Sequence, residues 1–491
     1  MKILLVYPQC PDTFWNFKHA LKFISKKAGL APLGLLTVAS MLPKEWEKKV
    51  VDTAMQPLTD QDLIWADFVF ISAMFIQKLY VTKIVEKCKQ FNKKIVAGGP
   101  LFTGAMDYFQ KDIDHLILNE AEITLPLFLA DLQAGHPKHI YTSEVKPELL
   151  NTPIPSWELI DQSKYAFMSI QFSRGCPFRC DFCDVTALFG HRMRVKTTEQ
   201  ILAEMENLYM RDWRDGVFFV DDNFIGNKSI LKKQVLPAMV EWMQKRNYPF
   251  ALNTQVSINL ADDEELMSLM VQAGFNMVFI GIETTEDLSL EECSKSQNQN
   301  RDMLACVKKI QKFGLQVQAG FILGFDHDES STFQKLTDFI QESGIVTAMV
   351  GLLNAPRGSG LYHRLVKENR LLGDATGDNT DYSLNFIPKM DREELINGYK
   401  SVVSTIYSPK QYYQRINTLM ETYRPLKKKS YHKGDIRALV KSMWSLGIRE
   451  KGRSYYWRLL LWSIFFRPEL FETCITHAIY GFHFRKMFVN N

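Results

Sequence analysis

The sequence predicts an α/β protein in three parts: a doubly wound, Rossmann-like domain, a partial (β/α)6 barrel and a mainly helical C-terminal domain. Three observations predict it. Short β-rich runs alternate with longer amphipathic segments as far as about residue 388, the pattern of parallel strands joined by crossover helices. A proline-rich stretch over 141–167 interrupts that alternation. Beyond 388 only helical periodicity remains. The 491 residues are 46% hydrophobic and 12% aromatic, enough apolar mass for two or three cores. This composition excludes a disordered chain, a collagen-like chain and a small disulfide scaffold.

The first domain, 1–140, has β-rich runs at Ile3–Tyr7, Phe68–Ser72, Lys94–Ala97 and His115–Leu118, with an amphipathic helix over Tyr80–Phe91. In doubly wound folds ligands bind beyond the carboxyl ends of the strands, here Pro8–Pro11, Ala73–Gln77, Gly98-Gly99-Pro100 and Asn119-Glu120. Pro147, Pro153, Pro155 and Trp157 mark 141–167 as a linker. The second domain, 168–388, has strands near Met168–Phe172, Gly216–Val220, Phe250–Thr254, Met277–Ile280, Gln316–Phe321 and Thr347–Leu352. Six β/α units suggest a barrel whose function lies at the C-terminal ends of its strands. The remainder, 389–491, reads as helical, basic and aromatic.

Charge is unevenly distributed. From Arg424 onward 14 Lys+Arg stand against 4 Asp+Glu, a balance of +10 that leaves −6 upstream. In this tail Trp444, Tyr455–Trp457, Leu459–Trp462, Phe465 and Phe466 lie among Arg449, Lys451, Arg453, Arg458 and Arg467. Such a mixture suits an anionic membrane interface, and equally a packed helical layer with a solvated basic face. Nucleic acid is not expected, because the basic residues form no recognised motif and the upstream balance is acidic. The opening MKILLVYPQC reads as a strand, not a secretion signal. The uncharged run Leu459–Phe466 falls far short of the about 20 residues that span a bilayer. The expected location is cytoplasmic, with peripheral contact at the inner membrane surface under the membrane reading of the tail.

Three of eight cysteines crowd into Cys176-Pro-Phe-Arg-Cys180-Asp-Phe-Cys183, and in a reducing compartment such clustering points to metal. Thiolates suit zinc or an iron–sulfur cluster. Three ligands leave one position open, which suits a cluster that presents an iron to a substrate or cofactor. The alternatives are a zinc site completed by His191, or three packed cysteines.

On Gly175-Cys176-x3-Cys180-x-Phe182-Cys183 the sequence resembles the radical S-adenosylmethionine (SAM) superfamily. The resemblance implies that Cys176, Cys180 and Cys183 hold a 4Fe–4S cluster, that SAM chelates its unique iron, and that one electron cleaves SAM to methionine and a 5′-deoxyadenosyl radical. Phe182 and the strand-end residues Asp222, Asn223, Gln255, Glu283, Ile322 and Asn354 match the family's SAM-contacting positions. Helix capping is the alternative role for Asp221 and Asn223, and ordinary barrel core for the segment Gly320–Phe325. A buried Glu283 needs a cationic or hydroxyl partner.

The first domain's position ahead of the cluster motif, Ala31-Pro32-Leu33-Gly34, Gln77 and Gly98-Gly99-Pro100 resemble the cobalamin-binding domains of the cobalamin-dependent (class B) radical SAM proteins. Pro32, Gln77, Gly98, Gly99, Pro100 and Leu101 are the implied cobalamin contacts, the glycines admitting close backbone approach. No Asp-x-His-x-x-Gly signature is present, so no histidine is evident as lower axial ligand. Phrases such as Asp222-Asn223-Phe224-Ile225-Gly226-Asn227-Lys228 and Lys295-Ser296-Gln297-Asn298 are most similar to the branch that includes hopanoid C-2 methylases. That branch implies methylation of an unactivated carbon in a hydrophobic or lipid substrate, with one SAM methylating cob(I)alamin, a second supplying the radical, and a flavodoxin or ferredoxin as reductant. The alternatives are a non-methylating radical cyclase or rearrangement enzyme, and a non-catalytic cobalamin or iron–sulfur sensor.

Overall fold

The computed structural model describes residues 1–378, 380–425 and 433–488; residues 426–432 and 489–491 of the basic tail lie outside the described residues. Its strands are β1 (Lys2–Tyr7), β2 (Ala28–Leu30), β3 (Glu47–Asp52), β4 (Phe68–Ser72), β5 (Lys94–Gly98), β6 (His115–Ile117), β7 (Ile140–Tyr141), β8 (Tyr165–Ile170), β9 (Ser173–Arg174), β10 (Arg194–Val195), β11 (Gly216–Phe219), β12 (Ala251–Val256), β13 (Phe275–Glu283), β14 (Gln316–Leu323) and β15 (Ala348–Leu352).

The first sheet runs β3-β1-β4-β5-β6-β7, all parallel. Covered on both faces, the interior strand β1 is a continuous apolar run: Leu4 and Val6 join the core on one side, Ile3 and Leu5 that on the other. Strand order reverses between β1 and β4, which puts the loops after these strands at the fold's ligand-binding crevice. Sequence periodicity alone misses β3, because EKKVVD is a charged edge strand with only its last two residues buried.

The second sheet, β15-β14-β13-β12-β11-β8-β2, is also parallel. Six strands form the half-barrel read from the sequence. The seventh, β2, comes from the first 32 residues and pairs with β8 through Ala28↔Tyr165 and Leu30↔Phe167. Three residues around Gly29 carry no alternation, so nothing local marks them as a strand.

Just before β2 the chain threads between barrel and tail. Phe14 is 1% exposed and stacks on Phe484 of the last helix, Phe471–Phe488, at 4.4 Å between ring centroids. Its neighbour Trp15 meets Phe279 of β13 edge-on at 5.3 Å. The C-terminal helices Arg392–Ile406 and Pro409–Thr422 pack on the barrel. Arg415, wholly buried, fastens them by donating to Gln341 Oε1 and to the carbonyls of Ile406 and Val346. One apolar core therefore runs from Phe14 through the barrel into the tail.

Candidate active site

The cysteine loop leaves β8 and is closed at its base by the β9–β10 hairpin, with Arg174 opposite Arg194 and Ser173 opposite Val195. Gly175 has φ +95°, and a Cβ there would stand 2.7 Å from the carbonyl oxygen of Arg192, so glycine is required one residue before Cys176. Asp181 N donates to Cys293 O, and Leu361 N donates to Asp181 O, tying the loop to segments that follow β13 and β15. All three cysteines are free and half-buried. Burial, with the Cys180 thiol adding to it, pushes Cys176 and Cys183 up, so these thiols stay protonated until a metal centre displaces their protons. Among the described residues no three His, Cys, Asp or Glu side chains converge closely enough to hold a metal ion as they stand. The assignment of the cysteines as ligands therefore rests on donor chemistry and motif.

Register lines the barrel's concave face around this loop with Ser169, Phe218, Asn253 and Gln255 on β8, β11 and β12, and with Met277, Phe279, Gln318, Ile322 and Met349 on β13 to β15, where Phe279, Ile322 and Met349 make an apolar wall with Gln318 beside it. Gly320 lies on the same face, since a Cβ there would stand 3.0 Å from the Phe279 ring. Trp15 covers Phe279 and extends this apolar wall.

Glu283 ends β13 at a bulge and adopts φ +67°, an uncommon conformation outside glycine. The bulge turns its carboxylate back over Gly281, where it pairs with Lys295. Burial opposes the lysine's charge, but Glu283 and Cys180 outweigh it and hold its pKa above the ordinary value. Lys295 Nζ also stands 5.7 Å from the ring centroid of Phe182, which packs edge-on to Phe325. From the same turn Gln297 Nε2 approaches Cys180 Sγ at 3.6 Å, and Asn298 Nδ2 caps the carbonyls of Gly281 and Ile282. On the other side of the loop Asp222 is pushed up to about 7, by burial first and then by Asp221 and Asp184.

Four side-chain oxygens here are buried without a hydrogen-bond partner among the described residues: Asn253 Oδ1, Gln297 Oε1, Asn298 Oδ1 and Asn354 Oδ1. Each such acceptor costs free energy unless a donor meets it. SAM, with an ammonium and ribose hydroxyls, supplies donors of the required kind, so the residues present fit that group.

Several expected contacts have internal work instead. Asn223 is 4% exposed and its Oδ1 accepts from Ser257 N and Oγ, so it braces the β11 and β12 loops together; it stands at the start of the turn Phe224–Asn227 but its side chain makes no capping hydrogen bond there. Asp221 is fully buried and accepts from Phe172 N, Ser173 N and Ser173 Oγ. In the first domain Gln77 is wholly buried, with Nε2 donating to Pro8 O and Oε1 accepting from Met74 N. Leu101 is 0% exposed and packs in the apolar core under the glycine loop. Pro32 is buried at the start of the helix Leu33–Met41. Gly98, Gly99 and Pro100 are half-exposed. A Cβ at Gly98 would strike Ile117 O at 2.6 Å and one at Gly99 would strike Ser72 Oγ at 2.9 Å, so packing within the domain already demands both glycines.

The residues that join the two sheets were not read as a joint in the sequence, where Glu120 stood only as part of the ligand loop Asn119-Glu120. Glu120, just after β6, accepts from Arg174 Nη1 at 2.8 Å and Arg194 Nη1 at 2.7 Å, with side-chain exposures of 3% for Glu120 and Arg194. Glu122 holds the other side of Arg174. Arg357, after β15, pairs with Asp107 of the first domain and with Asp374. The helix Pro100–Gly104, opened by the glycine loop, packs on the helix Val185–Phe189 that follows Cys183. The available signal was a cluster of arginines flanking the cysteine motif.

Comparison with known proteins bears on the family and the fold. Residues 170–340 match the Radical SAM superfamily model and residues 359–490 match a Domain of unknown function (DUF4070). An uncharacterized methyltransferase of Synechocystis is 39% identical over 490 residues, covering 99% of this chain and 91% of the relative. The hopanoid C-2 methylase of Rhodopseudomonas palustris is 32% identical over 474 residues, covering 94% and 89%. Among solved structures, the radical SAM methyltransferase TsrM from Kitasatospora setae, with cobalamin and a 4Fe–4S cluster bound, shares the fold at a TM-score of 0.62 and 13% identity, covering 97% of this chain and 98% of that one. The cysteine loop on a six-stranded half-barrel, and these relatives across nearly the whole chain, show that the protein belongs to the radical SAM superfamily, among its methyltransferases.

Proposed function

We propose that this chain is a cobalamin-dependent radical SAM methyltransferase that methylates an unactivated carbon of a hydrophobic, lipid-soluble substrate. The observation that carries the proposal is the seating of the first domain's glycine-loop helix, Pro100–Gly104, on the helix immediately beyond Cys183. When bound, the cluster and SAM supply a 5′-deoxyadenosyl radical and cobalamin supplies the methyl group. Cys176, Cys180 and Cys183 would hold the cluster. Asp222, Gln255, Glu283 and Asn354 would bind SAM, with Phe182 and Ile322 against its adenine. The exposed edge of Gly98, Gly99 and Pro100, with Pro32, would face cobalamin. Asn223, Gln77 and Leu101 support these loops from behind. Phe279, Met349 and Trp15 would hold the apolar body of the substrate and exclude water from the radical. A flavodoxin-like or ferredoxin-like reductant, a cytoplasmic location and peripheral membrane contact through the C-terminal region complete the proposal.

The test is anaerobic turnover of reconstituted protein with cobalamin, SAM, a strong reductant and a crude lipid extract. Extract-dependent formation of both 5′-deoxyadenosine and S-adenosylhomocysteine is expected, with loss of both in Cys180→Ala. Deoxyadenosine without S-adenosylhomocysteine would replace methylation by a non-methylating rearrangement. Retained SAM cleavage in Cys180→Ala would remove the cluster assignment.

A further inference from the structure

The helix Lys433–Trp444 and the turn Ser445–Arg449 that extends it face outward in an inverted sense. Ile436, Val440, Trp444 and Ile448 recur every four residues and are 61%, 60%, 55% and 52% exposed. The opposite face is small and buried: Ala438, Ser442 and Leu446. That inner face is fastened down, with Ser442 Oγ 2.8 Å from Tyr456 OH and Trp457 Nε1 donating to Gly447 O. The apolar stripe is therefore held open to solvent by a well-anchored helix.

The next helix, Arg453–Phe466, repeats the division. Tyr456, Leu459, Leu460 and Ser463 point into the core, while Phe465 and Phe466 are 74% and 72% exposed. Eight of the 25 exposed large apolar side chains among the described residues lie between Ile436 and Phe466. Isolated exposed apolar residues need no explanation, but a stripe at helical spacing does.

We infer that this stripe is a membrane-docking face, occupied by the surface of an anionic lipid bilayer. Charge complementarity selects the occupant. The last 68 residues carry +10. Arg437 is exposed one position along from Ile436, and Arg449 lies 5.4 Å from the Trp444 ring centroid; Lys441, exposed beside Val440, is tied back by donating its Nζ to Lys22 O and Ser25 Oγ. An apolar stripe with Trp at its centre and a basic rim is the arrangement of a helix lying in the plane of a lipid interface. No helix among the described residues is long and apolar enough to cross a membrane, so the contact is peripheral. The inference deepens the proposed membrane contact by naming its surface. It also sorts the tail's aromatic residues into a packed set and a lipid-facing set.

The test is flotation of the full-length protein with vesicles of phosphatidylcholine alone or mixed with phosphatidylglycerol, at low and high salt. Wild type is expected to float with the anionic vesicles and to be released by salt. The Val440→Glu, Ile448→Glu variant should lose about tenfold or more of that binding. Met210→Glu, a control at another exposed apolar position, should not. If the glutamates unfold the chain, Val440→Ser with Ile448→Ser repeats the test at lower cost to folding. Three results would overturn the inference: no flotation of wild type, equal flotation of the stripe variants, or a wild-type dimer in sedimentation that the stripe variants dissociate without altering flotation. Flotation needs no cofactor, so a protein that floats but is inactive in the reconstituted turnover assay would refute the chemistry and leave the surface standing.

Discussion

Glu120→Ala is expected to loosen the joint between the two sheets at the cysteine loop. Glu120 receives both Arg174 and Arg194 in a nearly water-free site. Without it Arg174 keeps Glu122 and Gln171, but Arg194 keeps only the carbonyls of Pro147 and Phe189. One guanidinium is then buried with no counter-charge, a loss of about 3–5 kcal/mol. Replacing both partners by apolar groups, in Glu120→Leu with Arg194→Met, removes the charge as well as its partner and should recover most of that loss. Denaturant unfolding of the cofactor-free protein measures both variants, and a double-mutant cycle should give a coupling near the top of the about 0.5–3 kcal/mol range for residues in one network. Because Arg174 lies two residues before Cys176, amide exchange over 174–195 should also quicken in Glu120→Ala. A loss below about 1 kcal/mol, or additive single and double variants, would refute the reasoning, since a solvated surface pair contributes only about 0–1 kcal/mol.

Two further outcomes are expected. His477 and His483 are buried and held down at about 4 by that burial; each uses Nε2, toward Gln316 and Phe14 O, and has Nδ1 without a partner among the described residues. The unfolded chain binds protons below about pH 6.5 and the native imidazoles do not, so about 3 kcal/mol per imidazole should be lost as pH falls from 6.5 to 4. Unfolding midpoints over this window should flatten in His477→Gln with His483→Gln; an unchanged slope would assign the acid sensitivity elsewhere. Gly281→Ala would put a Cβ 2.7 Å from Lys295 Nζ and against Glu283, displacing the pair from the concave face. SAM affinity, measured by equilibrium dialysis, should fall at least about tenfold, and unaltered affinity would remove Glu283 from the SAM site.

The cysteine motif and the six barrel strands were legible because each is local: a loop of fixed spacing, and apolar runs separated by helical segments. Glu283's need for a cationic or hydroxyl partner was legible too, as a rule about buried charge, although which of the two it is, and that it is Lys295, had to come from the fold. Less could be read at Gln77, Asn223 and Leu101. Residue type cannot say whether a side chain meets a ligand or its own protein: Gln77 donates to Pro8 O, Asn223 accepts from Ser257 N, and Leu101 packs in the apolar core.

By itself, then, the sequence determined the class of fold, the cysteine loop and the basic character of the tail, since periodicity, spacing and composition are properties of neighbouring residues. The tertiary structure decided that Ala28–Leu30 joins the second sheet, that Glu120 clamps Arg194 across 74 residues of chain, and that Trp15 lines the barrel. It also decided that Leu459 and Leu460 are core while Ile436, Val440 and Trp444 face outward. Each depends on which surfaces meet when distant segments pack, and no local pattern carries that information.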